Sequence, residues 1–453
     1  MIDLQERLAE LAAAYRVPGA SVAVLADGEV HEAATGVLNR ATGVEATTDS
    51  LFQPGSITKV YTATLAMRLV EEGLLTLDDP IRTWLPEFEV ADREVTEGVT
   101  IRHLLSHTSG IDGDHFEDSG RGDDVLERYV ASCASLHQTH PLGATMSYCN
   151  TGYSILGRII ELQTDRVWDD VMRERLYQPL GLEHSATFLQ DVMKYRIAVG
   201  HNAPAPGEPL EVAASFLPRS AGPMGLIIST VGDVLAFAKL HLEDGRTPEG
   251  KQLMSAESIR AMQSQQVEIP DRFTLGSHWG LGMILFDWDG HFLFGHDGGT
   301  IGQSSVLRIL PEANSAVTLL ACGGDVHSVY ETLFSEILGE VAGVAVPPIP
   351  KAPETPVELD LTRYAGAYER LASRYDFHPE DGKLVGTITI SGPLVEYLPD
   401  PVTNISMTPV DETTFLIYAE GEPEPAPGVF YAFQDGVPQY LHSGARANPR
   451  VPE

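Results

Sequence analysis

The sequence predicts an α/β (α+β) sandwich, in which one antiparallel sheet is assembled from both ends of a large region around a helical insert, followed by a small antiparallel β-barrel. Three observations predict it. Strand-rich stretches stand at 19–39 and 279–324, on either side of a middle (57–260) whose apolar spacing is mostly helical. The run "GVAVPPIPKAPETPVE" (343–358) is Pro-rich and reads as a semi-rigid linker. Beyond it, short β-rich runs recur between glycine turns, as in a small barrel. Three parts follow: a large domain over 1–342, the linker over 343–358 and the barrel over 359–453. A chain of 453 residues is also longer than one hydrophobic core usually serves.

Taken in order, "MIDLQERLAELAAAYR" opens with an amphipathic helix carrying Leu4, Leu8, Leu11 and Tyr15 on one face. It has neither the basic start nor the apolar run of a secretory leader, so a cytoplasmic protein is expected. Two β-rich runs then meet at Asp27-Gly28, a strong hairpin signal. "SITKVYTATLAMRLVEEG" predicts a helix from about Ser56 to Gly73, with Ile57, Val60, Thr64 and Met67 or Leu65 inward. Two polar loops, 111–124 and 201–223, are long enough to be lids or walls of a binding site. Strands return around turns at Asp289-Gly290 and 312–314, and "YAGAYE", "KLVGTITISG", "VEYLP", "TTFLIYAEG" and "GVFYAFQDG" supply the barrel.

Composition narrows the function. With 43% hydrophobic and 21% charged residues the chain is globular rather than disordered. A formal charge of −34 repels nucleic acid and anionic membrane, and no run of eighteen apolar residues exists to span a bilayer. Cys133, Cys149 and Cys322 are an odd count without zinc-like spacing, which fits buried reduced thiols. The 15 histidines form no H-E-x-x-H, so no metal is expected.

Three short motifs carry chemistry. Ser56 and Lys59 stand one helical turn apart, so their side chains can meet. They read either as a helix cap beside a solvated lysine or as a nucleophile with its base, which requires burial to keep the lysine neutral. Only 6 of the 30 basic residues are lysines, which lowers the odds of coincidence. Tyr148 and Asn150 precede an apolar helix: the phenol can relay a proton if cations lower its pKa, and the amide can orient a lysine and a carbonyl. His296-Asp297-Gly298-Gly299 ends a strand with a glycine edge that lets substrate approach and frees an N–H for an oxyanion.

Ser56-x-x-Lys59, Tyr148-x-Asn150 and His296-x-Gly298, in that order, resemble the serine hydrolases that include class C β-lactamases, penicillin-binding proteins, family VIII esterases and D-aminopeptidases. "TIRHLLSHTSGI" and "MGLIISTVGDVLAFAKL" are similar to further segments of that family, and the resemblance covers about residues 1–340. It implies Ser56 as acyl-enzyme nucleophile, Lys59 and Tyr148 as the proton-transfer pair, Asn150 and His296 in the site, and the N–H groups of Ser56 and Gly299 as the oxyanion hole. Gly298, Asp297 and Arg446 are further candidates for binding substrate. For Arg446 and Arg450 a solvated tail is the alternative. His107 is expected to be structural, and Cys149 to turn away from its neighbours. The chemistry implies no cofactor.

His296 stands where β-lactamases carry the lysine of K-T-G, and that loss removes the cation that would hold a β-lactam carboxylate. A cytoplasmic member with an appended lipocalin-like barrel looks most like the stand-alone penicillin-binding-protein-type thioesterases, which release and cyclise nonribosomal peptides from a carrier protein. The expected partner is therefore a peptidyl thioester. Esterases and D-aminopeptidases share the layout, and a non-catalytic sensor with the same fold is the remaining alternative.

Overall fold

The computed structural model describes residues 2–452 except 204–207, 209, 214, 215, 356, 393, 394, 396–399 and 423. The helix Leu4–Ala14 buries Leu4, Leu8, Leu11 and Ala12, and Asp3 caps it by accepting from the Glu6 N–H at 3.0 Å. β1 (Gly19–Ala26) and β2 (Glu29–Asn39) form the hairpin around Asp27-Gly28, and β3 (Val44–Glu45) extends it. Helices fill the middle of the chain, apart from a small ladder of β4 (Gly200–Asn202) and β5 (Glu211–Ala213). β6 (Val267–Glu268), β7 (His278–Trp279), β8 (Ile284–Trp288), β9 (His291–Thr300), β10 (Gln303–Leu310) and β11 (Ser315–Ala321) then complete the sheet.

The strand order is β3-β2-β1-β11-β10-β9-β8-β7-β6, antiparallel throughout. The first and last strands of the region are thus neighbours at the centre, Val22 opposite Leu319, which is the predicted assembly from two ends. Both faces of β1 are buried. Ala23 and Leu25 face the helical insert, with Phe294, Leu307 and Leu320. Val22 and Val24 face the two terminal helices, Leu4–Ala14 and Val326–Ala342, with Leu293 and Val317. Alternation of side chains across a strand produces these two cores from one run of residues.

The C-terminal strands form an eight-stranded antiparallel meander: β12 (Gly366–Arg370), β13 (Ser373–Glu380), β14 (Lys383–Ile390), β15 (Val402–Pro409), β16 (Thr414–Ala419), β17 (Ala426–Tyr431), β18 (Tyr440–Ser443) and β19 (Arg446–Pro449). It nearly closes, because the Val451 N–H donates to the Ala367 carbonyl and Tyr368 bridges Arg450. Tyr364, Tyr368, Phe377, Phe415 and Phe430 fill its core. β13, β15, β18 and β19 lie outside the runs picked out by sequence. "SRYDFHPE" alternates only over its first five residues and ends in exposed His378, Pro379 and Glu380, and the proline weakens its strand signal. The expected strand "VEYLP" falls almost wholly outside the described residues.

Candidate active site

Ser56 lies in a single turn of 3-10 helix, Gly55–Ile57, which leads directly into the helix Thr58–Glu71. The N-cap positions of the turn and of the helix are Pro54 and Ile57 rather than Ser56, which removes the cap reading. The turn is tight. Gly55 has φ +54°, and a methyl group there would lie 2.7 Å from the Gly299 carbonyl oxygen and 2.8 Å from its nitrogen. Only glycine therefore allows the end of β9 to run alongside Ser56.

Lys59 is fully buried, which removes the solvated reading as well. Its Nζ donates to Asn150 Oδ1 at 2.8 Å and to the Met224 carbonyl at 2.7 Å, and stands 3.1 Å from Ser56 Oγ. Burial drives its pKa well below the ordinary lysine value, and the Arg446 guanidinium pushes in the same direction. Burial favours the neutral amine, and in that form the two carbonyl acceptors take its two N–H bonds and leave the lone pair for Ser56.

Tyr148 is buried and hydrogen-bonded to Ser56, with Lys59 Nζ 4.8 Å from its ring centre. Its pKa moves upward, against the expectation of a lowered one: burial outweighs the Ser56 hydrogen bond and the nearby Arg446 charge. The phenol thus keeps its proton. His107, Trp279 and His296 wall it in, with ring centres 4.4, 5.6 and 6.0 Å away. His107 is structural: its Nδ1 accepts the Cys149 N–H at 2.9 Å and so shapes the loop between Tyr148 and Asn150. The Cys149 side chain turns back to accept from the Gly152 N–H, and burial lifts its thiol to about 12, which leaves it inert.

His296 is buried and its pKa is pushed down to about 3, first by burial and then by Lys59. Its Nδ1 donates to the Asp297 carbonyl at 2.5 Å. Nε2 finds no partner among the described residues. The position is therefore a neutral imidazole, not a cation. Gly298 packs against the Ser56 turn: a methyl group there would come within 1.9 Å of the Pro54 carbonyl oxygen, whereas one on Gly299 would meet nothing within 4 Å.

One substrate-binding expectation changes, and for Arg446 the alternative of a solvated tail falls. The Asp297 carboxylate turns to the sheet face of the terminal helices, where it pairs with buried Arg308, itself hydrogen-bonded to Tyr330. It is not beside Ser56, because alternation along β9 sends it away from the face of His296 and Gly298. Arg446 is not in a solvated tail. Its Nε and one terminal N–H donate to Asp114 at 3.1 and 2.9 Å, and its guanidinium lies 4.9 Å from the Tyr148 ring centre. Arg450 braces the barrel, donating to Tyr368 and to the Arg363 carbonyl.

The barrel thus reaches the site. The Tyr148 N–H donates to the Ala445 carbonyl at 2.9 Å and the Ala447 N–H to Ser147 Oγ at 3.1 Å. Asp114, which fixes the Asn150 amide at 3.0 Å, was not singled out by sequence, although the acidic loop that carries it was. Both long loops contribute walls to an adjoining cavity of about 690 Å³, lined in part by Phe116, Phe188, Phe216, Leu217, Leu226 and Ile301. Among the described residues no helix is long and apolar enough to cross a membrane, and no cluster of three or more His, Cys, Asp and Glu is placed to hold a metal.

A family model described as Beta-lactamase matches residues 4–332. Penicillin-binding protein 4 of Amycolatopsis lactamdurans is 47% identical over 368 residues, spanning 81% of this chain and 97% of that protein. Among solved structures, SurE with D-Leu aligns at TM-score 0.76 and 28% identity, covering 98% of this chain and 97% of the other. D-amino acid amidase from Ochrobactrum anthropi SV3, complexed with L-phenylalanine amide, aligns at TM-score 0.60 and 26% identity over 74% of this chain and 95% of its own.

Proposed function

Because the chain belongs to the β-lactamase family of penicillin-binding-protein-like serine hydrolases, we propose that it transfers a peptidyl group from a thioester, borne on a carrier protein, to Ser56 and releases it as a macrocycle. The observation that carries the reading is Lys59: a fully buried side chain whose Nζ is held by two carbonyl acceptors and stands 3.1 Å from Ser56 Oγ.

In this reading Lys59 takes the Ser56 proton as Oγ attacks the thioester carbonyl, and the N–H groups of Ser56 and Gly299 receive the oxyanion. Tyr148, protonated and hydrogen-bonded to Ser56, passes a proton to the departing thiolate and is refilled from Lys59. The peptide's own amine then attacks the ester, losing its proton through the same pair, and Ser56 recovers its hydrogen. An amine tethered to the acyl group reaches an effective concentration that favours its attack over that of water. The adjoining cavity, with Phe116, Phe188, Phe216 and Leu217 in its wall, suits a bulky acyl side chain. Three of the five Arg446 N–H donors are used, by Asp114 and the Gly444 carbonyl, which leaves two for a substrate carboxylate.

The D-Leu and D-amino acid amidase relatives favour a D-configured residue at the reacting end. The test is to incubate the protein with a peptidyl thioester mimic ending in a D-residue and to follow intact mass and products. An acyl adduct that Ser56→Ala abolishes, with cyclic peptide as product, is the expected result. Linear acid as the sole product replaces the cyclase with a hydrolase of the amidase kind. Turnover of short acyl esters alone would point to an esterase, and no adduct at all to a sensor.

A further inference from the structure

The acidic loop 111–124 carries two buried carboxylates that face the barrel instead of solvent. Asp112 and Asp114 are each 5% exposed. Asp112 accepts the Leu371 N–H at 2.6 Å. Asp114 uses both oxygens: Oδ1 accepts from Asn150 Nδ2 and Arg446, and Oδ2 from Arg446 and from Arg370 at 2.5 Å. Arg370 ends β12 and Leu371 opens the turn to β13, so a hairpin of the barrel grips the loop by side chain and backbone at once.

An amide can present either its oxygen or its NH2 to a neighbour. An ionised, immobile Asp114 accepts only the NH2 of Asn150, which leaves Oδ1 for Lys59. Burial alone would raise the Asp114 pKa, but the charges of Arg446 and Arg370 reverse this and hold it well below the ordinary value. If Asp114 swings away, Asn150 is free to turn its NH2 toward Lys59, where it competes for the lone pair that Ser56 needs.

We infer that Arg370 is a positioning residue for Lys59, acting through Asp114 and the Asn150 amide, so that the barrel is a working part of the catalytic apparatus. Arg370 suits this role because its guanidinium meets Asp114 without touching the Tyr148 ring, as Arg446 does. The inference rests on the proposed roles of Ser56 and Lys59. The charged and titratable groups that bear on Lys59 are Asp114 and Cys149, which raise its pKa, and Arg446, which lowers it, with Tyr148, His107 and His296 alongside. Removing Arg370 leaves the Asp114 charge less compensated and favours the ammonium form.

The test measures the rate of Ser56 labelling by a fluorophosphonate against pH, read by intact mass on the full chain. For Arg370→Met we expect labelling about tenfold slower at neutral pH and an acid limb moved upward by ~1 pH unit. Arg370→Lys keeps the charge and leaves the limb in place. Asp114→Asn moves it downward, and adding Arg370→Met to that variant shifts it no further. Wild-type protein that does not label at Ser56 overturns the nucleophile reading itself. Labelling with an unmoved limb in Arg370→Met, whatever its rate, overturns the inference about Arg370 alone. Should that variant not fold, Asp114→Asn decides: an unmoved or raised limb there overturns it.

Discussion

At the scale of single residues, Lys59 decides what Ser56 can do. A lysine in water is protonated at neutral pH and cannot accept a proton, so the burial of Nζ is a requirement of the proposed chemistry. Replacement by arginine keeps the positive side chain but cannot be deprotonated. Lys59→Arg should therefore lose as much acyl transfer as Lys59→Met, about 10²- to 10⁴-fold, measured as the rate of thioester turnover. The pH dependence has a definite sign. Lys59 must be neutral, so kcat/KM rises as pH increases through its lowered pKa, and the upward-shifted Tyr148 keeps its proton beyond that point. The profile should be an acid limb followed by a plateau that extends to alkaline pH. His296, already neutral above about 3, contributes no limb, so His296→Gln should leave the limb where it is.

At the scale of elements, β9 and the Ser56 turn are set by how closely two backbones approach. Gly298 and Gly299 are adjacent and chemically identical, yet their surroundings differ. A methyl group on Gly298 collides with the Pro54 carbonyl and Ser305 Oγ, while one on Gly299 meets open space. Gly298→Ala should cost about 1–3 kcal/mol in stability by displacing the strand, together with most of the activity. Gly299→Ala should melt near the wild-type temperature and act only on substrate entry, seen as a raised KM. Paired thermal melts and kinetics distinguish the two. The glycine pair was visible in the sequence, but the partner that makes one of them indispensable lies more than two hundred residues earlier.

At the scale of the whole molecule, the fold moves the pKa values of several buried groups away from those they have in water. His107, His241, His296 and His442 are buried and their pKa values are depressed, the last three to about 4, 3 and 3. Asp114 is depressed as well. For each histidine the unfolded chain binds the proton more readily, so its contribution to stability falls as pH drops below about 6.5 and continues to fall toward 3. The lowered Asp114 adds a loss in the same direction below about 4. The raised pKa values of Asp112, Glu161, Asp233 and Asp271 act in the opposite direction, so the histidine contribution is read by comparison. The fall in Tm from pH 7 to pH 4 should be smaller in His442→Gln than in the wild-type chain, with the barrel and the sheet losing structure together, because Asp112 and Asp114 tie one to the other.

Much of this was legible in the linear chain for a simple reason: the signals are local. A hairpin needs Asp27-Gly28, an amphipathic helix needs its leucines three and four apart, and Ser56 and Lys59 meet because one helical turn separates them. The order of the three motifs marked Tyr148, Asn150 and His296 as companions, and the structure brings all of them around Ser56. Other features depend on distance in space. Whether Lys59 is an ammonium or an amine, which way Asn150 points and whether Arg446 is a solvated tail or a neighbour of Tyr148 follow from desolvation and from contacts some 300 residues apart. A side chain's charge state is set by everything packed around it, and no spacing along the chain records that.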